Sequence, residues 1–186
     1  VVLSRQEVAR LLAATVNLKH RAMLMTAYGA GLRLGELTHL RVGDIDRERM
    51  LIHVRQGKGR VDRQVGLSPR LLAMLDRYMR AARPTDWLFA GAQPDEPISH
   101  SAVQKALREA RQASGITKPV TMHTLRHSYA THLLESGTDI RVIQRLLGHK
   151  SITTTTIYTH VSTQTIRGVV SPLEQLDLAG APGLPS

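Results

Sequence analysis

One segment departs from the pattern of the rest of the chain. From Met50 to Leu67 the residues "MLIHVR" and "RQVGL" are rich in β-branched side chains, and "QGKGRVD" between them supplies two glycines for a tight connection. Nearly everything else has apolar residues at helical spacing. The expected class is therefore mostly α with a small antiparallel β element, an α+β domain built around one hairpin with Lys58 near its tip.

The helices announce themselves by their ends. "SRQEVARLLAA" opens with Ser4 as N-cap and Glu7 three residues on, a capping box ahead of Val8, Leu11 and Leu12. "HRAMLMTAYGAGLRLGELTHL" reads as a helix broken near Gly29 and Gly31 and resumed to about Leu40, which places Arg33 on the first turn of the new helix. "SPRLLAMLDRYMRAA" has Ser68 as cap and Pro69 at the first helical position. "ARPTDWLFAGAQPDEPIS" reads as a loop around a short apolar "WLF". Further helices are expected from about Ser101 to Ala113, His123 to Glu135 and Asp139 to Leu147, stopped by or near Gly115, Gly137 and Gly148. A last short one should include Thr154 to Tyr158, and "PLEQLDL" could form another.

At 186 residues the chain has room for one sizeable domain. Its 25 Lys and Arg against 15 Asp and Glu give a net charge of +10, which makes a polyanion the natural partner. With no Cys, thiol nucleophiles, disulfides and Cys-based metal sites are excluded. No apolar run approaches the roughly 18 residues that a membrane span needs, and no signal-peptide pattern opens the chain, so a soluble, cytoplasmic protein with no membrane partner is expected.

"TMHTLRHSYATHL" packs three histidines and an arginine into little more than three helical turns. His123 and His127, four apart, imitate the zinc motif H-E-x-x-H, but Thr124 stands where that motif needs its glutamate base. His123 and Arg126, three apart, suit a phosphate instead: the guanidinium can bind two oxygens while the imidazole moves a proton. A surface arginine beside a core histidine is the simpler alternative, and these residues alone favour it.

Other segments shift that balance. "GAGLRLGEL", "QGKGR", "HTLRH" and "LLGHKSITTTTIYTHV" occur in the order and with the spacing of the tyrosine recombinases, the phage integrase family, and the chain resembles their catalytic domain from about Ser4 to Ser162. The Xer-type and integron-integrase branches are most similar. Gly35 stands where many relatives have Ser, a departure that concerns local packing. The resemblance implies that Arg33 and Arg126 clamp the scissile phosphate, that Tyr158 is the nucleophile, and that His123 is the general base. It further implies Lys58 as general acid, His149 as a phosphate hydrogen-bonding partner, and Glu36 in support, orienting Arg33 or His123. His127, Tyr129 and His132 receive no chemistry, and Tyr28 and Tyr78 fall in apolar stripes.

Implied with these roles are a partner in double-stranded DNA, assembly as a tetramer on that DNA, and no metal or other cofactor. The expected catalytic domain runs over 1–178 and 179–186 is expected as a disordered tail; the amino-terminal clamp domain of relatives is not in this sequence. Relatives pass a carboxy-terminal helix to a neighbouring subunit, and "TIRGVVSPLEQL" is the counterpart here, with packing on its own chain as the alternative. Two other functions compete: a catalytically silent DNA-binding accessory protein, opposed by the full residue set, and a metal-dependent hydrolase, opposed by the missing glutamate.

Overall fold

The computed structural model of the protein describes residues 1–55, 62–148 and 163–185. Its helices are α1 (Arg5–Ala14), α2 (Leu18–Ala30), α3 (Leu34–Thr38), α4 (Pro69–Ala82), α5 (His100–Ser114), α6 (Met122–Glu135), α7 (Ile140–Leu147) and α8 (Thr163–Gly168). Strands β1 (Ile45–Asp46), β2 (Leu51–Val54) and β3 (Arg63–Gly66) form one antiparallel sheet in the order β1, β2, β3.

Local chemistry sets the helix ends. Ser4 Oγ accepts the Glu7 amide at 3.1 Å while the Glu7 carboxylate accepts the Ser4 amide at 2.7 Å, the reciprocal capping box that the sequence shows. Ser68, Ser99, Thr121 and Asp139 cap α4, α5, α6 and α7 by accepting a first-turn backbone amide, and Gly31, Gly115 and Gly148 close α2, α5 and α7 in the left-handed conformation.

Helix α2 is the centre of the molecule. Its "RAMLMTAYGA" stretch is apolar nearly all round, as a helix must be when neighbours cover every face, and every residue from Arg21 to Ala30 is buried. Helices α4, α5 and α6 pack around it. The polar exceptions donate to backbone carbonyls: Thr26 Oγ1 to Ala22 at 2.7 Å, and Arg21 to Ala13 and, from the far end of the chain, Pro182.

The hairpin is present, with Leu51 opposite Gly66 and Val54 opposite Arg63. It gains a third strand that the sequence reading lacked, because β1 is only two residues long and carries no alternation to detect. The loop's "WLF" is an anchor: Leu88 and Phe89 are fully buried, and the Leu88 amide donates to the Leu40 carbonyl at 2.8 Å.

Downstream of α8 the chain packs on its own domain. Ser171 Oγ donates to the Gly29 carbonyl at 3.0 Å, the Glu174 carboxylate accepts the Arg70 amide at the start of α4, and Leu173, Leu176 and Leu178 are buried. Within 179–185 the Pro182 and Gly183 carbonyls accept from Arg21 and Arg77. The composition of "AGAPGLPS" gives no hint of this, since the anchors are backbone oxygens held by arginines elsewhere in the chain.

Candidate active site

Gly31 starts the site. At φ +63° it ends α2 and reverses the chain, and a Cβ there would lie 2.4 Å from the Tyr129 ring, so backbone conformation and close packing both require glycine. Two residues later Arg33 is the N-cap of α3, one position before the first turn where the sequence reading put it. Gly35 has no neighbouring atom within 4 Å of an added Cβ, so the serine of relatives would fit and the departure leaves packing intact.

Glu36 is the hub. Its carboxylate accepts the Arg33 amide at 2.8 Å, lies 3.5 Å from the Arg33 guanidinium, and forms a two-toothed ion pair with Arg63 at 2.6 and 3.0 Å. The Glu36 and Arg63 side chains are 7% and 3% exposed, so the pair is out of water, where losing either partner leaves a costly bare charge. Burial is the largest influence on Glu36 and would raise its pKa. The bonds from Arg63 and the Arg33 amide, with the charges of Arg63 and Arg126, outweigh it and hold the carboxyl below its usual range.

Arg126 reaches the same place from the second turn of α6. It is buried, 4.0 Å from the Glu36 carboxylate, and donates to the Gly31 carbonyl at 2.7 Å and the Leu147 carbonyl at 2.6 Å. These bonds use two of the five donors of a guanidinium, so α2, α6 and α7 fix its orientation while donor capacity remains for an oxyanion. Burial first, then the charge of Arg33, lowers its pKa to about 10, which still leaves it cationic at neutral pH. One carboxylate among three guanidiniums keeps the cluster net positive.

His123 and His127 are exposed on α6, with ring centroids 6.2 Å apart. Both line a cavity of about 390 Å³ between α6 and α7, together with Arg126, Ile143 and Leu147. His132, on the same helix, is instead sealed in the core: its Nε2–H donates to the Leu3 carbonyl at 2.9 Å and its Nδ1 accepts the Tyr28 hydroxyl at 2.7 Å. The structure thus brings Arg33, Glu36, Arg126 and His123 into one region. Lys58, His149 and Tyr158, and the short helix expected over Thr154 to Tyr158, lie outside the described residues.

Of the four tyrosines in the chain, Tyr28, Tyr78 and Tyr129 are core residues. Burial pushes the Tyr78 hydroxyl up to about 12 and raises Tyr28 and Tyr129 as well, so each is harder to ionise than a tyrosine in water. Tyr28 and Tyr78 also spend their hydroxyls on His132 and the Leu88 carbonyl.

Arg63 is the residue that the sequence reading passed over. The signal was there: in "RQVGL" Arg63 alternates with Val65 and Leu67, which puts an arginine on the inward face of a strand. A cation in that register needs a buried partner, and Glu36 is that partner.

The profile of the phage integrase family matches residues 1–165. A Sinorhizobium fredii protein provisionally named integrase/recombinase y4qK is 47% identical over 176 residues, covering 95% of this chain and 57% of its own length. Among solved structures, XerA recombinase superposes with a TM-score of 0.76 at 36% identity, covering 90% of this chain and 62% of its own. A lambda integrase tetramer bound to a Holliday junction has a TM-score of 0.68 at 26% identity, covering 83% and 48%. The chain spans about half to two thirds of the length of these relatives.

Proposed function

The chain belongs to the phage integrase family, and from that premise we propose that it cuts and rejoins double-stranded DNA at specific sites through a covalent 3′-phosphotyrosyl intermediate. The observation that carries this reading is the pair of arginines, Arg33 from the start of α3 and Arg126 from α6, held around the buried Glu36 beside the exposed His123.

The Arg126 guanidinium is held by the Gly31 and Leu147 carbonyls, and the Arg33 guanidinium lies against Glu36, before any substrate arrives. Their role is to bind the non-bridging oxygens of the scissile phosphate and to stabilise the charge that grows as phosphorus becomes pentacoordinate. The Tyr158 oxygen attacks phosphorus, the bond to the 5′-oxygen breaks, and the 3′ end stays on the protein. His123 takes the phenolic proton, which a tyrosine of ordinary pKa near 10 does not release unaided at pH 7. Lys58 gives a proton to the departing 5′-oxygen, and His149 hydrogen-bonds the phosphate. Glu36 keeps Arg33 in place. Attack by a 5′-hydroxyl from another strand reverses the sequence, and the stored phosphodiester energy makes ATP unnecessary. The reaction uses four copies on two DNA sites, supported by the likeness to the lambda integrase tetramer on a Holliday junction. The high content of Lys and Arg suits the DNA backbone.

The test is covalent trapping on a pool of duplexes with randomised half-sites around a nicked centre, where a short 5′-hydroxyl fragment diffuses away after attack. Wild-type protein is expected to select and retain 3′-linked DNA, and Tyr158→Phe to bind the selected duplex without forming an adduct. An undiminished adduct in Tyr158→Phe, or no adduct from wild type on any member of the pool, overturns the reading.

A further inference from the structure

We propose that Arg63 is a positioning residue for the strand-exchange reaction: it sets Arg33 through Glu36 and holds the carboxy-terminal end of α7 beside Arg126, so that the phosphate grip is assembled from β3 before DNA binds. The proposal rests on the reading given under Proposed function.

The geometry is that of a three-point bracket. The Arg63 Nη1 and Nη2 donate to the two carboxylate oxygens of Glu36 at 2.6 and 3.0 Å, and its Nε donates to the Leu146 carbonyl at 2.7 Å. The next carbonyl along, Leu147, accepts from Arg126 at 2.6 Å. Two guanidiniums on different elements therefore hold consecutive carbonyls of the same helix end, and both face the same carboxylate. Through that carboxylate Arg63 also reaches Arg33, whose amide donates to the oxygen that Arg63 Nη2 holds.

Arg63 itself is out of reach of DNA. Its side chain is 3% exposed and its Nε, Nη1 and Nη2 all donate within the protein, whereas Arg126 is bonded through Nη1 and Nη2 alone and Arg33 is 37% exposed, so Arg33 and Arg126 are the arginines placed to meet a phosphate. Without Arg63, Glu36 would be free to turn fully onto Arg33 and Arg126 and to neutralise the charge that the phosphate needs. The planar fork is what permits the bracket, since it reaches a carboxylate and a carbonyl at fixed angles at once. A lysine in its place keeps the charge and loses that geometry.

The experiment compares wild type with Arg63→Lys and Arg63→Leu, at a temperature where each folded variant is far below its unfolding midpoint. Three quantities are read: hydrogen exchange of the Arg33 amide in the free protein, affinity for a random-sequence duplex, and the rate of covalent trapping on the nicked DNA selected by wild type. For Arg63→Lys the expected results are exchange at Arg33 at least about tenfold faster, affinity within about twofold, and trapping slowed about 10- to 100-fold, the usual range for loss of a group that orients a reacting one. Arg63→Leu should be slower still if it folds; if it does not, Arg63→Lys decides alone. A purely stabilising role lowers the midpoint but leaves trapping per folded molecule unchanged, and that result overturns the proposal. So does unchanged exchange at Arg33. Equal losses of affinity and trapping would make Arg63 a DNA contact and overturn it too. If wild type traps no DNA, the recombinase reading fails separately, and the exchange measurement still decides whether Arg63 sets Arg33.

Discussion

Replacing Gly31 by alanine should damage the protein twice over, and the two contributions can be separated. At φ +63° a residue with a Cβ loses about 1–2 kcal/mol relative to glycine. The new methyl would also stand 2.4 and 2.6 Å from two Tyr129 ring carbons, and the ring is fully packed, so relief requires a shift in the core at about 1–3 kcal/mol. The sum, about 2–5 kcal/mol, is a large share of the roughly 5–15 kcal/mol that holds a domain folded. Urea unfolding followed by circular dichroism and by the fluorescence of the single tryptophan measures it directly. Gly35→Ala is the internal control, because its Cβ meets nothing within 4 Å and needs no positive φ; it should be neutral or stabilising by up to about 1 kcal/mol. In a Tyr129→Leu background the steric part of the Gly31→Ala penalty should shrink and leave the backbone part of about 1–2 kcal/mol, a coupling that neighbours in contact show and distant sites do not. Equal midpoints for Gly31→Ala and Gly35→Ala would refute this account of the turn.

Arg33→Ala and Arg126→Ala should each slow DNA trapping by about 10²–10³, the loss seen when one donor to a developing oxyanion is removed, while duplex affinity changes little because each is one phosphate contact among many. Equal losses in rate and affinity would reduce them to general DNA contacts. Arg126→Ala should also lower the unfolding midpoint more than Arg33→Ala, since Arg126 alone is buried with two backbone carbonyls depending on it. Trapping should proceed undiminished in excess EDTA; a loss that added zinc or magnesium restores would reject the two-arginine chemistry.

What could be read from the sequence was whatever depends on near neighbours. Ser4 with Glu7, Ser68 with Pro69, and the stops at Gly31, Gly115 and Gly148 are local chemistry, and each structural end falls within a residue or two of its signal. Arg33, Glu36 and Arg126 were visible because they sit in motifs whose spacing is itself local. Arg63 was not, because its meaning lies in Glu36, 27 residues away, and in the carbonyl of Leu146, 83 residues away. The contacts of the carboxy-terminal segment were out of reach for the same reason, although "PLEQLDL" was read as a short helix: Glu174 supports the first turn of α4 across 104 residues, and only the fold brings them together.

The histidines of α6 show the same limit and offer a final test. The local pattern singles out His123 beside Arg126 but does not separate His127 from His132, yet His127 faces solvent with His123 and His132 is enclosed by Leu3, Tyr28 and the stem of α6. Burial, then the Arg5 charge, lowers the pKa of His132, partly opposed by its bond to the Leu3 carbonyl and by Glu135. The folded pKa is therefore below the unfolded one. Above about pH 6.5 both states carry a neutral ring and nothing is lost; as pH falls through the unfolded value the unfolded chain binds a proton that the folded chain refuses, and stability declines until the folded value is passed. The slope from this one group cannot exceed about 1.4 kcal/mol per pH unit. His132→Gln deletes the titration while retaining an amide that can still meet the Tyr28 hydroxyl or the Leu3 carbonyl. Unfolding free energies between pH 8 and pH 5 should fall more steeply in wild type than in His132→Gln. Parallel pH profiles for wild type and His132→Gln would mean that the ring takes up its proton as readily in the core as in water, and the burial argument would be wrong.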